Sequence, residues 1–88
     1  MCILGIDPGT ATTGFGIIRE NQIGLEALEY GIISTPAVMP MGERLSAIFA
    51  RMNEIILSHH PTSCAVEKLF FRRNVTTAIS VGQARGVI

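Results

Sequence analysis

Long apolar runs are absent from this 88-residue chain, and so is a basic amino-terminal lead into one. The hydrophobic stretches are interrupted well short of the roughly 20 residues a spanning helix needs, so neither a membrane span nor a secretory signal peptide is expected. Cysteine is scarce. Cys2 and Cys64 lie in apolar, strand-like runs and form no C-x-x-C pair, as befits two buried, reduced thiols in a cytoplasmic protein. Low-complexity tracts and internal repeats are also missing, while 48% of residues are hydrophobic, too many for a disordered chain. The length suits one small domain or part of a larger one.

Acidic residues are missing from the last stretch altogether. Residues 1–67 hold all seven acids with three bases, Arg19, Arg44 and Arg51, whereas residues 68–88 hold Lys68, Arg72, Arg73 and Arg85 and no acid. A basic segment directly after an acidic one suits a phosphate-bearing partner, although four bases also fit an ordinary solvated surface.

What is present reads as an α/β order. Cys2–Asp7 is a short apolar strand stopped by Pro8-Gly9, Gly14–Arg19 a second strand, and Ile23–Ser34 a third after a polar turn, together an antiparallel meander. Gly24 and Gly31 suggest bulges or edges. Pro36 and Pro40 break the pattern. From Met41 to His59, Leu45, Ile48, Phe49, Met52, Ile55 and Ile56 recur at three- and four-residue steps, predicting a helix with one apolar stripe. His59 and His60 are expected to complement the dipole at its end, before Pro61. Thr62–Phe71 predicts a fourth strand, returning parallel to the first through a right-handed crossover. Asn74 is a plausible N-cap for a last helix through "VTTAISVGQARGVI".

Two acids interrupt this pattern: Asp7 after Ile3-Leu4-Gly5-Ile6, and Glu67 after Cys64-Ala65-Val66. If their strands are neighbours, about 4.8 Å apart, the two carboxylates can share a divalent ion, which removes the desolvation penalty a lone buried carboxylate would meet. The small residues Gly9, Thr10, Thr12, Thr13 and Gly14 either let a phosphate backbone approach closely or simply satisfy a hairpin turn. In "EKLFFRRN", Lys68, Arg72 and Arg73 offer phosphate contacts. Phe70 and Phe71 point to opposite sides of an extended segment, so one is free to stack on or wedge between bases, unless both pack under the next helix.

"LGIDPGTATTGFGII", "AVEKLFFRRN" and "GQARGV" together resemble the amino-terminal half of the RuvC Holliday junction resolvases, over essentially the whole chain. The resemblance implies an RNase H-like mixed sheet of three antiparallel strands, a helix, a parallel strand and a helix. It also implies a homodimeric endonuclease that cuts four-way junction DNA with two Mg²⁺ per site, in concert with a branch-migration helicase. By position, Asp7 and Glu67 match catalytic, metal-binding carboxylates. Lys68, Phe70, Phe71, Arg72, Arg73 and Asn74 match the DNA-contacting segment, and Gln83, Ala84 and Gly86 a helix used in dimer contacts. The family closes its site with two later aspartates and its sheet with a fifth strand, neither of which this sequence reaches. Residues 1–88 are therefore expected to be a partial nuclease domain, inactive alone. Three other readings stay open: the phosphate-binding part of an actin-like ATPase or sugar kinase, an RNase H-like nuclease acting on RNA precursors, and a non-enzymatic DNA-binding or dimerising module.

Overall fold

The computed structural model describes residues 1–68 and 75–88. Its elements run β1 (Cys2–Asp7), β2 (Thr12–Asn21), β3 (Gly24–Ser34), α1 (Met41–His59), β4 (Ser63–Val66) and α2 (Val75–Val87). The sheet order is β3-β2-β1-β4, with β1 antiparallel to β2 and parallel to β4. This is the mixed sheet expected from the sequence. A parallel return needs a crossover of a dozen or more residues, and α1 supplies it.

Alternation assigns the two faces. Leu4 and Ile6 on β1 face the same way as Thr13, Phe15 and Ile17 on β2 and Ile33 on β3, and all of them are buried. Against this face α1 sets Ile48, Met52 and Ile55, and α2 sets Ala84, closing one core. Leu4, Ile17, Ile48 and Ile55 are 0–1% exposed, and each such side chain contributes about 1.5–3 kcal/mol relative to exposure.

Several expectations change here. The apolar stripe of α1 is wider in sequence than in contact: Leu45 packs at the margin, while Phe49 and Ile56 are 57% and 40% exposed. Each residue advances about 100° round a helix, so these two lie a step off the line through Ile48, Met52 and Ile55. The bulge falls at neither glycine. Ile17 pairs with Glu29 and Ile18 with Ala27, leaving Leu28 as the extra residue of β3. Gly31 instead makes room for the Phe15 ring, whose Cε1 would stand 3.5 Å from an added Cβ. Strand β2 is longer than expected and β4 shorter. Cys64 is exposed rather than buried, because β4 is an edge strand of the described sheet. Ala84, expected at a dimer contact, is fully buried in this chain's own core, while Gln83 and Gly86 are exposed. The residues Phe70, Phe71, Arg72, Arg73 and Asn74 lie outside the described part.

His59 also has a different partner from the one expected. Helix α1 ends on His60, whose left-handed φ of 48° directs its N–H to the Ile56 carbonyl. His59 Nε2 instead lies 2.8 Å from Glu29 Oε1 on β3, and Arg51 Nη2 reaches Glu29 Oε2 at 3.2 Å. The Arg51 guanidinium also sits 5.6 Å above the Phe15 ring. Glu29 thus ties the outer strand to the crossover helix. Hydrogen bonds from His59, then from Arg51, hold its carboxyl below the usual carboxylate range despite some desolvation.

A depressed carboxylate stabilises the fold above the ordinary range, and that contribution is lost as pH falls through the folded-state value. The melting temperature of Glu29→Gln should therefore lie below wild type at pH 7, and the gap should narrow as pH falls through the folded-state value. A gap that stays constant with pH would show that the Glu29 charge is not involved.

Candidate active site

The acid pair is assembled by the β1–β4 ladder. Its register runs Ile3↔Ser63, Leu4↔Cys64, Gly5↔Ala65 and Ile6↔Val66. One step further, the Glu67 N–H donates to the Ile6 carbonyl at 2.8 Å, so Glu67 comes level with Asp7. At the other end the Thr62 N–H and hydroxyl both donate to the Cys2 carbonyl, at 2.8 and 3.0 Å. The ladder is therefore pinned at both ends, and a slip of one residue would turn Glu67 to the helix face.

Both acids project from the face opposite α1, and both are exposed. Their neighbours there have almost no side chains. Asp7 pairs with Gly14, and Gly5 pairs with Gly16 on one side and Ala65 on the other. A Cβ on Gly14 would stand 3.7 Å from the Asp7 Cβ. The floor beside the carboxylates is thus bare backbone, bordered by Tyr30 and Ile32 of β3, which are 80% and 65% exposed. Among the described residues no bulky side chain on this part of the sheet stands between the pair and a charged ligand.

The electrostatics suit a cation. The Glu67 carboxyl is hydrogen-bonded to Asp7, and that bond, the neighbouring Asp7 charge and slight desolvation push its pKa up from the ordinary carboxylate value. Two like charges so close share a proton or take a counter-ion. A divalent ion with oxygen ligands would suit this donor set, and Asp7 and Glu67 are the residues that could hold it. The described residues contain no cluster of three or more His, Cys, Asp or Glu, so the pair supplies only part of a coordination shell. Lys68 follows directly and is exposed.

The turn after Asp7 is closed from within and fastened from without. The Thr13 hydroxyl, fully buried, donates to the Gly9 carbonyl at 2.6 Å and accepts the Gly9 N–H at 3.3 Å. Gly9 cannot be replaced cheaply, since a Cβ there would collide with the Thr12 carbonyl oxygen. Thr35, beyond β3, and Arg44, in the first turn of α1, complete the fastening. Reading the sequence for acids and bases near the site passed over both. One signal for Arg44 was available: a cation in the first turn of a helix opposes the dipole and calls for a local reason.

The raised pKa of Glu67 means that its ionisation costs stability as pH rises from the ordinary carboxylate value through the folded-state one. Without divalent ions at pH 7, Asp7→Asn and Glu67→Gln should each melt at a higher temperature than wild type. Added Mg²⁺ or Mn²⁺ should raise the wild-type melting temperature and leave the variants nearly unmoved. Variants that melt lower than wild type without metal would remove the repulsion argument.

In sequence and in fold the chain is similar to known proteins. The family model described as crossover junction endodeoxyribonuclease RuvC matches residues 3–88. A protein of that name from Heliobacterium modesticaldum is 56% identical over 88 residues, which are 100% of this chain and 54% of that protein. One from Rubrobacter xylanophilus is 53% identical over 85 residues, 97% of this chain and 48% of its own length. The solved structure of T. thermophilus RuvC in complex with Holliday junction substrate superposes with a TM-score of 0.90 at 32% identity, covering 99% of this chain and 56% of that one. The chain thus spans about half the length of the curated relatives it matches. Its sheet and helices are those of the RuvC RNase H-like fold, and the chain belongs to the RuvC family.

Proposed function

We propose that this chain is the amino-terminal part of a metal-dependent endonuclease that resolves four-way DNA junctions. The observation that carries the reading is the pairing of Asp7 with Glu67 on adjacent strands of one open face, beside a floor without side chains. That arrangement can hold divalent metal against a phosphodiester and leaves room for the strand that bears it. Mg²⁺, two ions per complete site, would supply Lewis-acid stabilisation of the charge that builds on the phosphate. In the hydrolysis a water oxygen bonds to phosphorus, one P–O ester bond breaks, and the departing oxygen leaves as a hydroxyl after taking a proton.

The same reading gives each residue of this chain a role. Asp7 and Glu67 bind the cation and fix it at the sheet end, and the Gly9–Thr13 turn borders the path of the phosphate backbone. Lys68, with Arg72, Arg73 and Asn74, supplies contacts to junction phosphates, while Phe70 and Phe71 supply the aromatic contact to unstacked bases at the junction centre. The further acidic ligands belong to residues beyond this chain, as the family pattern of two later aspartates implies, and so does the strand that would pair with β4. The exposed Gln83 and Gly86 of α2 are assigned to a homodimer contact, which would set two cutting centres against two strands. A branch-migration helicase is the expected wider partner, and a cytoplasmic place the expected setting. Family membership leaves the sugar-kinase and ATPase reading without support.

The test uses the longer protein that contains this chain. With Mg²⁺ it should nick synthetic four-way junctions in preference to linear duplex. Removing one metal-binding carboxylate, as in Asp7→Asn, should lower the cleavage rate by about 10²–10³-fold or more while junction binding persists. Unchanged cleavage in Asp7→Asn would overturn the assignment of the site.

A further inference from the structure

We propose that Thr35 and Arg44 are positioning residues for the cleavage site, bolting the turn after Asp7 in the place where it meets the substrate phosphate. The proposal rests on the reading of Asp7 and Glu67 as the cutting centre.

Three segments distant in sequence converge here. Thr35 is 4% exposed. Its hydroxyl donates to the Thr10 carbonyl at 2.6 Å, and its N–H donates to the Ala11 carbonyl at 3.0 Å. Arg44 grips the same residue from α1, donating from Nε to Thr35 Oγ1 at 2.8 Å and from Nη2 to the Thr35 carbonyl at 3.2 Å. The guanidinium therefore occupies a lone pair of the hydroxyl, which directs the hydroxyl hydrogen towards Thr10. A cation donating to that oxygen polarises it, so the short bond to the turn is charge-assisted through one intermediate atom.

Arg44 has little else to explain it. It stands in the first turn of α1, against the dipole, and forms no ion pair with a carboxylate among the described residues. Glu43 beside it is the residue that complements that helix end. The division of labour is then clear. Thr13 keeps the turn's shape, since both of its bonds run to Gly9 within the turn. Thr35 and Arg44 keep its place relative to the sheet, since Thr35 bonds the turn from the residue just after β3 and Arg44 grips Thr35 from α1. On its outer side the turn borders an open cavity of about 530 Å³, which Arg44 also lines. Without the Thr35 hydroxyl, the turn loses its side-chain link to the end of β3 while Asp7, held by β1, stays where it is. Phosphate and metal site would then fall out of register.

Two substitutions separate this from a general loss of stability. Thr35→Val removes the hydroxyl at nearly constant volume, and Thr35→Ser keeps it. In the longer protein, Thr35→Val should slow single-turnover junction cleavage roughly tenfold to a hundredfold, the scale set by a misplaced reacting group. Junction affinity measured in EDTA should stay within about twofold of wild type, and Thr35→Ser should restore the rate. Amide exchange at residues 9–13 should speed up in Thr35→Val but not in Thr35→Ser. Wild-type cleavage or wild-type exchange in Thr35→Val would overturn the proposal, as would equal losses in both variants or a rate loss matched by weaker binding. Should Thr35→Val not fold, Arg44→Lys carries the same test, because an ammonium keeps the charge but not the two-point grip. If the wild-type protein cut no junctions, the proposed function would fall by itself, and the exchange comparison would still decide whether the bolt exists.

Discussion

Everything in this fold that touches the acid pair depends on a four-residue parallel ladder. Strand β1 is bonded on both sides, to β2 in the antiparallel sense and to β4 in the parallel sense. Parallel pairing is slightly weaker per residue than antiparallel, and here only Ser63–Val66 contribute to it. Its register therefore needs help from outside. Thr62 and Glu67 pin the two ends by their bonds to Cys2 and Ile6, and α1 presses the sheet from one side with Ile48, Met52 and Ile55. The packing of an ordinary amphipathic helix thus sets the relation between two carboxylates on the far face.

The site is built against local stability. Two acids of like charge sit side by side on an open surface, and the presence of Asp7 raises the cost of ionising Glu67. The compensation lies elsewhere, in a core closed by fully buried aliphatic residues and in the Glu29 clamp between β3 and α1. Polar bonds around the Gly9–Thr13 turn are of a third kind. They bury hydroxyls at Thr13 and Thr35 that a purely apolar core would avoid, and both donate to backbone carbonyls of the turn. Buried polar groups used in this way specify geometry more than they add stability.

Much of this was legible in the sequence because the signals were periodic. The bounds of β1 and α1 came from an apolar run ended by Pro8 and from a three- and four-residue rhythm ended by Pro61, and the parallel placement of β4 followed from the intervening helix. Asp7 and Glu67 stood out as charges at the ends of apolar strands. What escaped was whatever depended on a partner from a distant segment. The bulge at Leu28 leaves no mark in local composition, since it is set by the pairing of β2 with β3. The association of His59 with Glu29 across the helix–sheet contact could not be told from a helix-end charge. Cys64 read as core because its neighbours are apolar, but burial on a sheet edge depends on what lies beside it. Thr35 and Arg44 were hidden for the same reason, a threonine before a proline and an arginine on a helix having many ordinary explanations.

Asp7 and Glu67 stand sixty positions apart along the polypeptide, and the crossover helix lies between them. The meander of the first three strands can form early during synthesis while carrying one acid alone. Only docking of α1 brings the second into line. A nascent or half-folded molecule accordingly holds the two carboxylates apart, and the acid pair exists only once the tertiary structure that sets it is in place.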